Sequence, residues 1–338
     1  MSPEAPQPDM ALFDLIQSHR VTAVIYVAAK LGVAECLRDG PRPPAAVAEA
    51  MGAHESSIHR LLVALTTIGI CNIDPQGWFS LTDIGAQLDS RSERSLKGWA
   101  IFEGELLSKS WTGLIESVTS GKTATELLGR NNSFDLMGSE TIAVFNAAMV
   151  DLTRIVTPQI ISSYDFSKTS VLMDVGGGSG QLVSAVLQSH PTMRGMVFDL
   201  PRCAETAKTL FREMGVSDRA EFIGGDFFEA VPKGADTVLL KSVIHDWDEE
   251  RSAAILKNCR QAISGSGKLL LVERLMPSLP SNAEQHRSHA MSDLNMLRGP
   301  GGKERTQNEY QNLLSQNSFR LNAIFSAGLF SVIEAYPV

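Results

Sequence analysis

Val171-Leu-Met-Asp-Val-Gly-Gly-Gly-Ser-Gly180 runs an apolar segment straight into a glycine-rich turn. The mostly apolar residues ending at Asp174-Val175 read as a buried parallel strand, and the glycines as the turn into a helix, where backbone can approach a ligand closely. The amphipathic run from Gln181 to His190, stopped by Pro191, is that helix. Met196-Val-Phe-Asp-Leu-Pro201 follows as a second strand ending in an acid. Strand, glycine turn, helix and strand in this order form the first half of a nucleotide-binding βαβ unit.

Two cofactor classes compete for such a unit. A dinucleotide fingerprint needs Gly-x-Gly-x-x-Gly, but counted from Gly176 or Gly178 the third glycine falls on Gln181 or Val183. The pattern present is Gly176-x-Gly178-x-Gly180. A pyrophosphate gains from a helix N-terminus and a nearby cation, whereas Asp174, Asp199 and Asp226 make this mouth acidic. A cationic, phosphate-free nucleoside fits better, and S-adenosylmethionine is the common one.

A chain of 338 residues has room for about two domains, each with a core of its own. The formal charge of -8 and a pI near 5.4 disfavour nucleic acid and anionic membrane as partners. Cys36, Cys71, Cys203 and Cys259 are far apart, with no Cys-x-x-Cys pair, which argues against zinc and for a reducing compartment. The N-terminal stretch lacks the pattern of a signal peptide, and the apolar run Val21 to Ala29 is too short to span a bilayer. A cytoplasmic protein without membrane contact is expected.

Met10 to Leu37 reads as two helices before the break Gly40-Pro-Arg-Pro-Pro44. Ala45 to Met51 and Glu55 to Ile68 form a helix-turn-helix pair. Ile70 to Ile73, Asp74-Pro-Gln-Gly77 and Trp78 to Leu81 add a two-stranded wing. The whole resembles a winged helix. From Pro41 to Ser90 it carries Arg42 and Arg60 against Glu49, Glu55, Asp74, Asp83 and Asp89, a local charge of -3. Phosphate contacts need the opposite sign. Dimerisation is the better use, because Leu31 to Ile70 holds more apolar surface than a small domain buries in itself. Leu96 to Leu128 and Ser133 to Ile161 read as helices separated by Gly129-Arg-Asn-Asn132.

Strand and helix alternate from Val171 onward. Further strands are expected at Ala220 to Gly225, Asp236 to Ile244 and Lys268 to Leu275, with helices from Cys203 to Met214, Glu250 to Ile263 and Ala283 to Leu297, a helix to Gln316, and two closing strands. Ligands bind at the carboxyl ends of such strands. Asp199 ends the second, where a carboxylate can accept from both ribose hydroxyls. Asp226 and Phe227 end the third, suited to an adenine amino group and ring face. His245 and Trp247 end the fourth, and Glu273 the fifth. Asp246 and Asp248 read as caps of the following helix. His286 and His289, three apart on a helix, read as a solvated face with no third metal ligand, so no metal site is expected.

LMDVGGGSG, FDLP, GDFF, LLKSVIHDWDEE, LLLVERLMP and GPGGKERTQNEY, in this order and spacing, resemble the S-adenosylmethionine-dependent O-methyltransferases of the caffeate and flavonoid type, whose bacterial branch modifies phenazines, polyketides and other aromatic natural products. The likeness covers nearly the whole chain. It implies an α/β fold, a class I methyltransferase Rossmann-like sheet behind an N-terminal helical, winged-helix dimerisation domain. The expected divisions are 1–95 for dimerisation, 96–165 for helices lining the active site, and 166–338 for cofactor binding.

By position, the resemblance implies that Gly176, Gly178, Asp199, Leu200, Asp226, Phe227 and Lys241 hold S-adenosylmethionine. Met149 and Thr153 would lie near its methionine end and Trp247 near its adenine. His245 matches the general base, and Glu273 and Glu304 the acids that flank and orient it. Met291, Asn295 and Met296 are the candidate substrate contacts. The expected reaction is methyl transfer to a hydroxyl of an aromatic small molecule, by a homodimer. Alternatives on the same fold are N-methylation, cofactor-assisted hydroxylation or decarboxylation, and a winged-helix regulator that senses S-adenosylmethionine. With ordinary pKa values of ~10 for a phenol and ~6.5 for histidine, complete deprotonation by His245 would cost roughly 4 to 5 kcal/mol, so proton loss is expected to accompany transfer.

Overall fold

The computed structural model describes residues 7–129 and 138–338. The chain divides into two compact units, Met1–Lys109 with Gly138–Leu152, and Ser110–Met137 with Thr153–Val338.

The first unit begins with three helices, Pro8–Gln17, His19–Leu31 and Val33–Leu37, where the sequence suggested two. Gly32, at a left-handed φ of 79°, ends the second and starts the third. Helices Pro44–Met51 and Glu55–Thr67 follow, then the antiparallel strands β1 (Cys71–Ile73) and β2 (Phe79–Leu81). Ala28, Ala29, Val33, Leu37, Leu62, Leu65 and Phe79 pack together as its core. The single helix expected over Leu96 to Leu128 is broken into short pieces, Lys97–Phe102, Ser108–Trp111, Leu114–Ser120 and Ala124–Leu127, with a π-helical turn at Glu103–Leu107. Close packing accompanies that turn: a Cβ on Gly104 would lie 2.1 Å from Cγ of Tyr26. Of the expected break at 129–132 and the helix start at 133, all but Gly129 lies outside the described residues; a helix then spans Ser139–Ser163.

The second unit is built on a seven-stranded sheet. Its strands are β3 (Val171–Val175), β4 (Arg194–Asp199), β5 (Ala220–Gly224), β6 (Thr237–Lys241), β7 (Lys268–Glu273), β10 (Phe319–Ala327) and β11 (Phe330–Pro337). Two further strands, β8 (Leu275–Met276) and β9 (Arg305–Thr306), pair with each other in parallel. The sheet order is β10-β11-β7-β6-β3-β4-β5. The five strands β3 to β7 run parallel, and β10 and β11 close the edge antiparallel. Strand β7 is buried along its whole length, as expected for a sheet covered on both faces.

The order reverses between β3 and β6, which makes their carboxyl ends the topological switch point where such sheets bind ligands. The fourth parallel strand ends earlier than its apolar run suggested. Ser242 takes a left-handed φ of 54°, turning the chain out of β6 into a 3-10 turn at Ile244–Asp246. Holding a non-glycine residue there costs about 1 to 3 kcal/mol, and the residue it delivers is His245.

Candidate active site

The glycine turn at the end of β3 is shaped by contact on two sides. Gly176 has φ 76°, and a Cβ there would meet Cγ2 of Val243 at 2.8 Å. At Gly178, φ 57°, a Cβ would meet nothing within 4 Å, so this residue faces open space. The amide of Gly178 donates to Oδ2 of Asp199 at 2.7 Å, and Leu200 N–H to Oδ1 at 2.6 Å. Asp199 thus links β4 to the glycine turn with its carboxylate held by backbone. Asp226 accepts from Phe228 N–H at 2.8 Å, which folds the turn after β5 and brings Phe227 and Phe228 edge-on to Trp247, with ring centroids 6.2 and 4.8 Å away.

Beneath the turn lies Asp174. Burial, reinforced by Asp199 and opposed by Lys241, pushes its carboxyl up to about 7. Lys241 in turn is lowered by its own burial, against the pull of Asp174, Glu273 and Asp246. The residues fit S-adenosylmethionine: open space before Gly178, an acid at the end of β4 for a ribose, and an aromatic group beside Asp226 for an adenine. A sulfonium also suits a mouth rich in carboxylates better than a pyrophosphate would.

The strand ends β6 and β7 and the loop before β9 build a second cluster. His245 is buried, and its Nδ1 lies 3.0 Å from Oε1 of Glu304 and 3.8 Å from Oε2 of Glu273. Oε1 of Glu273 accepts from the backbone N–H groups of Val243 and Ile244, at 3.1 and 2.9 Å. The two acids therefore divide their work: Glu304 faces the ring, while Glu273 pins the turn that carries it. Oε2 of Glu273 and Oε2 of Glu304 are both buried and, among the described residues, have no hydrogen-bond partner.

Arg305, fully buried, grips the same turn. Its Nη1 and Nη2 each donate at 3.0 Å, to the carbonyls of Ile244 and Trp247. Gly302 lies against it as well, since a Cβ there would be 2.0 Å from the carbonyl oxygen of His245. The loop that supplies Glu304 thus also clamps the backbone on either side of His245.

Charge in this cluster is one-sided. Burial disfavours the imidazolium, but Glu273, Glu304 and Asp246 outweigh it and raise His245 to about 10. Burial raises Glu273 to about 7 against the pull of His245, while Glu304, burial notwithstanding, is held below the usual range by His245 and Ser292. Ligand atoms of His245, Glu273 and Glu304 all fall within 4.8 Å of one another, a spacing a cation could also use. A direct hydrogen bond already joins two of the three, which suits an acid–base pair.

Several expected residues sit differently from their sequence reading. Asp248 caps the helix Glu249–Ala262 through Arg251 N–H, but Asp246 does not cap; its Oδ1 lies 3.6 Å from Nε2 of His245, and burial raises it to about 6. His289 is buried rather than solvated, its ring nitrogens 2.9 and 3.2 Å from the carbonyls of Leu275 and Leu329. On the helix Glu284–Arg298, Met296 is buried, Asn295 half-buried and Met291 exposed. Thr153 is buried in the second unit, while Met149, one turn earlier on the helix Ser139–Ser163, belongs to the first. Arg305 and Ser242 were not singled out from sequence, and Asp246 was read only as a helix cap. An acid after the base and a basic residue in a Lys-Glu-Arg run have no spacing that betrays burial.

A parallel sheet with this switch point, a glycine turn facing an acidic mouth and a buried imidazole beside it define a class I methyltransferase. The chain belongs to the O-methyltransferase family: the family's O-methyltransferase domain matches residues 111–320 and its dimerisation domain residues 13–88. It is accordingly an enzyme that uses S-adenosylmethionine as methyl donor. Among curated relatives, the phenazine O-methyltransferase PhzM of Lysobacter antibioticus is 36% identical over 97% of this chain and 96% of its own length. The crystal structure of N,N-8-amino-8-demethyl-D-riboflavin dimethyltransferase from Streptomyces davawensis is 29% identical, with a TM-score of 0.82 over 98% of this chain and all of its own. Human N-acetylserotonin methyltransferase, solved in complex with S-adenosylmethionine, is 25% identical, with a TM-score of 0.90 over 100% of this chain and 99% of that one. Among the described residues no helix is long and apolar enough to cross a membrane.

Proposed function

We propose that this enzyme methylates a hydroxyl group of an aromatic natural product, in the biosynthesis of a pigment or antibiotic such as a phenazine, with His245 as general base. The observation that carries the reading is the 3.0 Å contact between Nδ1 of His245 and Glu304. It orients the ring through one nitrogen, so that Nε2, with Asp246 Oδ1 3.6 Å away, is the nitrogen to take the acceptor's proton. Asp199 with Leu200 would hold the ribose, Asp226, Phe227 and Trp247 the adenine, and Gly176, Gly178, Lys241, Met149 and Thr153 the remainder of the cofactor. Met291, Asn295 and Met296 would line the acceptor. Residues 13–88 would form a homodimer, with 96–165 as the helices bordering the acceptor site.

Bound S-adenosylmethionine supplies an electrophilic methyl carbon on a sulfonium. The chain's own task is to align the acceptor oxygen and remove its proton. Glu273, Glu304 and Asp246 raise His245 to about 10, which makes its neutral ring a stronger base toward a phenol than an ordinary imidazole, while at neutral pH the proton it already holds must first be removed before it can act as one. Glu304 and Glu273 then keep the resulting imidazolium stable. At neutral pH the resting ring is already protonated, so either it loses that proton first or the acceptor enters as its anion.

Kinship with an amine dimethyltransferase favours an aromatic amine as the second reading, and an amine lone pair needs less help from a base. Transfer of labelled methyl should be measured across hydroxylated and aminated aromatics, phenazines included, with His245→Ala beside the wild type. Label on oxygen, reduced about 10²-fold or more in the variant with cofactor affinity intact, supports the proposal. Label on nitrogen that survives the substitution supports the amine reading, and full turnover of a phenol without His245 removes it as base.

A further inference from the structure

We propose that Ser292 is a positioning residue for the base, tying the helix Glu284–Arg298 to His245 through Glu304; the inference rests on the reading of His245 given above. Ser292 Oγ donates to Oε1 of Glu304 at 2.6 Å, and that same oxygen lies 3.0 Å from Nδ1 of His245. The other oxygen of Glu304 has no hydrogen-bond partner among the described residues. One carboxylate oxygen therefore carries both contacts that fix the group's rotation. Without the serine hydroxyl, the imidazole would be the carboxylate's one remaining side-chain hydrogen-bond partner among the described residues, and it is the group the carboxylate is meant to hold.

The neighbouring residues strengthen this assignment. Asp293 Oδ1 accepts from the backbone N–H of Glu304 at 2.9 Å, so two consecutive helix residues hold the side chain and the main chain of the same glutamate. One turn earlier on the same face, Ser288 Oγ accepts from Nη1 of Arg274 at 3.1 Å, just beyond Glu273 at the end of β7. The helix thus reaches both flanks of the acid pair. Asp246, Glu273, Glu304, Lys241 and Arg274 are all ionisable and all act on His245 or on one another. Ser292 carries no charge of its own, and its hydrogen bond both orients Glu304 and favours its ionised form. The helix also carries Met291, Asn295 and Met296, so a shift of the helix on acceptor binding would be passed to the base through one short hydrogen bond.

The test compares wild type, Ser292→Ala, Ser292→Thr, Glu304→Gln and the Ser292→Ala/Glu304→Gln double variant, with His245→Ala as reference. Methyl transfer to a hydroxyphenazine is measured, and the imidazole resonances are recorded on histidine-labelled protein. Ser292→Ala is expected to lower kcat about 10-fold, with KM and cofactor Kd within about 2-fold, and to shift the Nδ1 resonance of His245; Ser292→Thr restores both. In the double variant the serine change should add nothing to the loss from Glu304→Gln, because its path to His245 is already cut. Wild-type kcat with an unmoved resonance in Ser292→Ala, or losses that multiply in the double variant, overturns the proposal. If His245→Ala itself keeps full turnover, the base reading fails instead, and the imidazole resonance still decides whether Ser292 orders the pair.

Discussion

Around His245, three carboxylates surround one imidazole in a buried site, and their balance sets the pH at which the ring is a base. Since Glu273, Glu304 and Asp246 raise its pKa to about 10, the fraction of neutral imidazole grows as pH rises from neutral toward that value. We therefore expect kcat/KM for a neutral phenol to rise with pH through the alkaline range. Glu304→Gln removes one of the groups that raise the pKa, so the ascending limb should move to lower pH even as the maximal rate falls. A full pH–rate profile checks this, and a limb that stays in place or moves upward would contradict it. The apparent values belong to the cluster as a whole. His245, Glu273 and Glu304 were legible in the sequence because each ends a strand or sits in a motif. Asp246 was not: an acid shortly before a helix reads as a cap, and only the left-handed turn at Ser242 swings it inward beside Nε2.

Elements show the same division between what local chemistry encodes and what close approach decides. The parallel strands were legible within a few residues because apolar runs between glycine turns leave little choice of period. The segment Leu96 to Leu128 was not, since its apolar spacing suits a continuous helix, whereas the chain stays helical from Lys97 to Trp111, with a π turn where Tyr26 packs on Gly104, and breaks after Trp111 and after Ser120. The loop between Gly299 and Arg305 is a further case, which the sequence shows only as a glycine-rich connection. In the structure it is anchored by the parallel pairing of β8 with β9 and pressed on the His245 turn at Gly302. Gly302→Ala would put a methyl group 2.0 Å from the carbonyl oxygen of His245, and relieving such overpacking costs typically 1 to 3 kcal/mol. The loop must retreat, taking Glu304 with it. Methyl transfer should fall at least 10-fold, while S-adenosylmethionine affinity, which on the proposed reading rests mainly on residues at the ends of β3, β4 and β5, should fall much less. Calorimetric titration of the cofactor beside the transfer assay would show a joint loss if the loop instead supports the whole unit.

At the scale of the molecule, the first unit carries apolar surface that its own fold leaves uncovered. The helix Pro8–Gln17 buries none of its residues, and Leu12, Phe13, Leu15 and Ile16 all stand exposed on it. A ten-residue helix is marginal in water by itself, so something beyond its own propensity should hold it. Residues 13–88 match a dimerisation domain, and a second copy of the chain is the cover we expect. These four side chains are already partly covered, so burying the remainder would contribute roughly 4 to 7 kcal/mol per chain before association and ordering costs, a driving force toward a dimer. Light scattering should give twice the mass of one chain for the wild type. Leu15→Asp combined with Ile16→Asp should give the monomer, because two carboxylates placed among apolar groups would be desolvated without partners. An unchanged dimer in that variant would move the interface to another surface of the unit. The cofactor gives a second reading of the same experiment. Every residue proposed to hold it except Met149 lies in the second unit, so the monomeric variant should keep most of its affinity for S-adenosylmethionine even where turnover is lost.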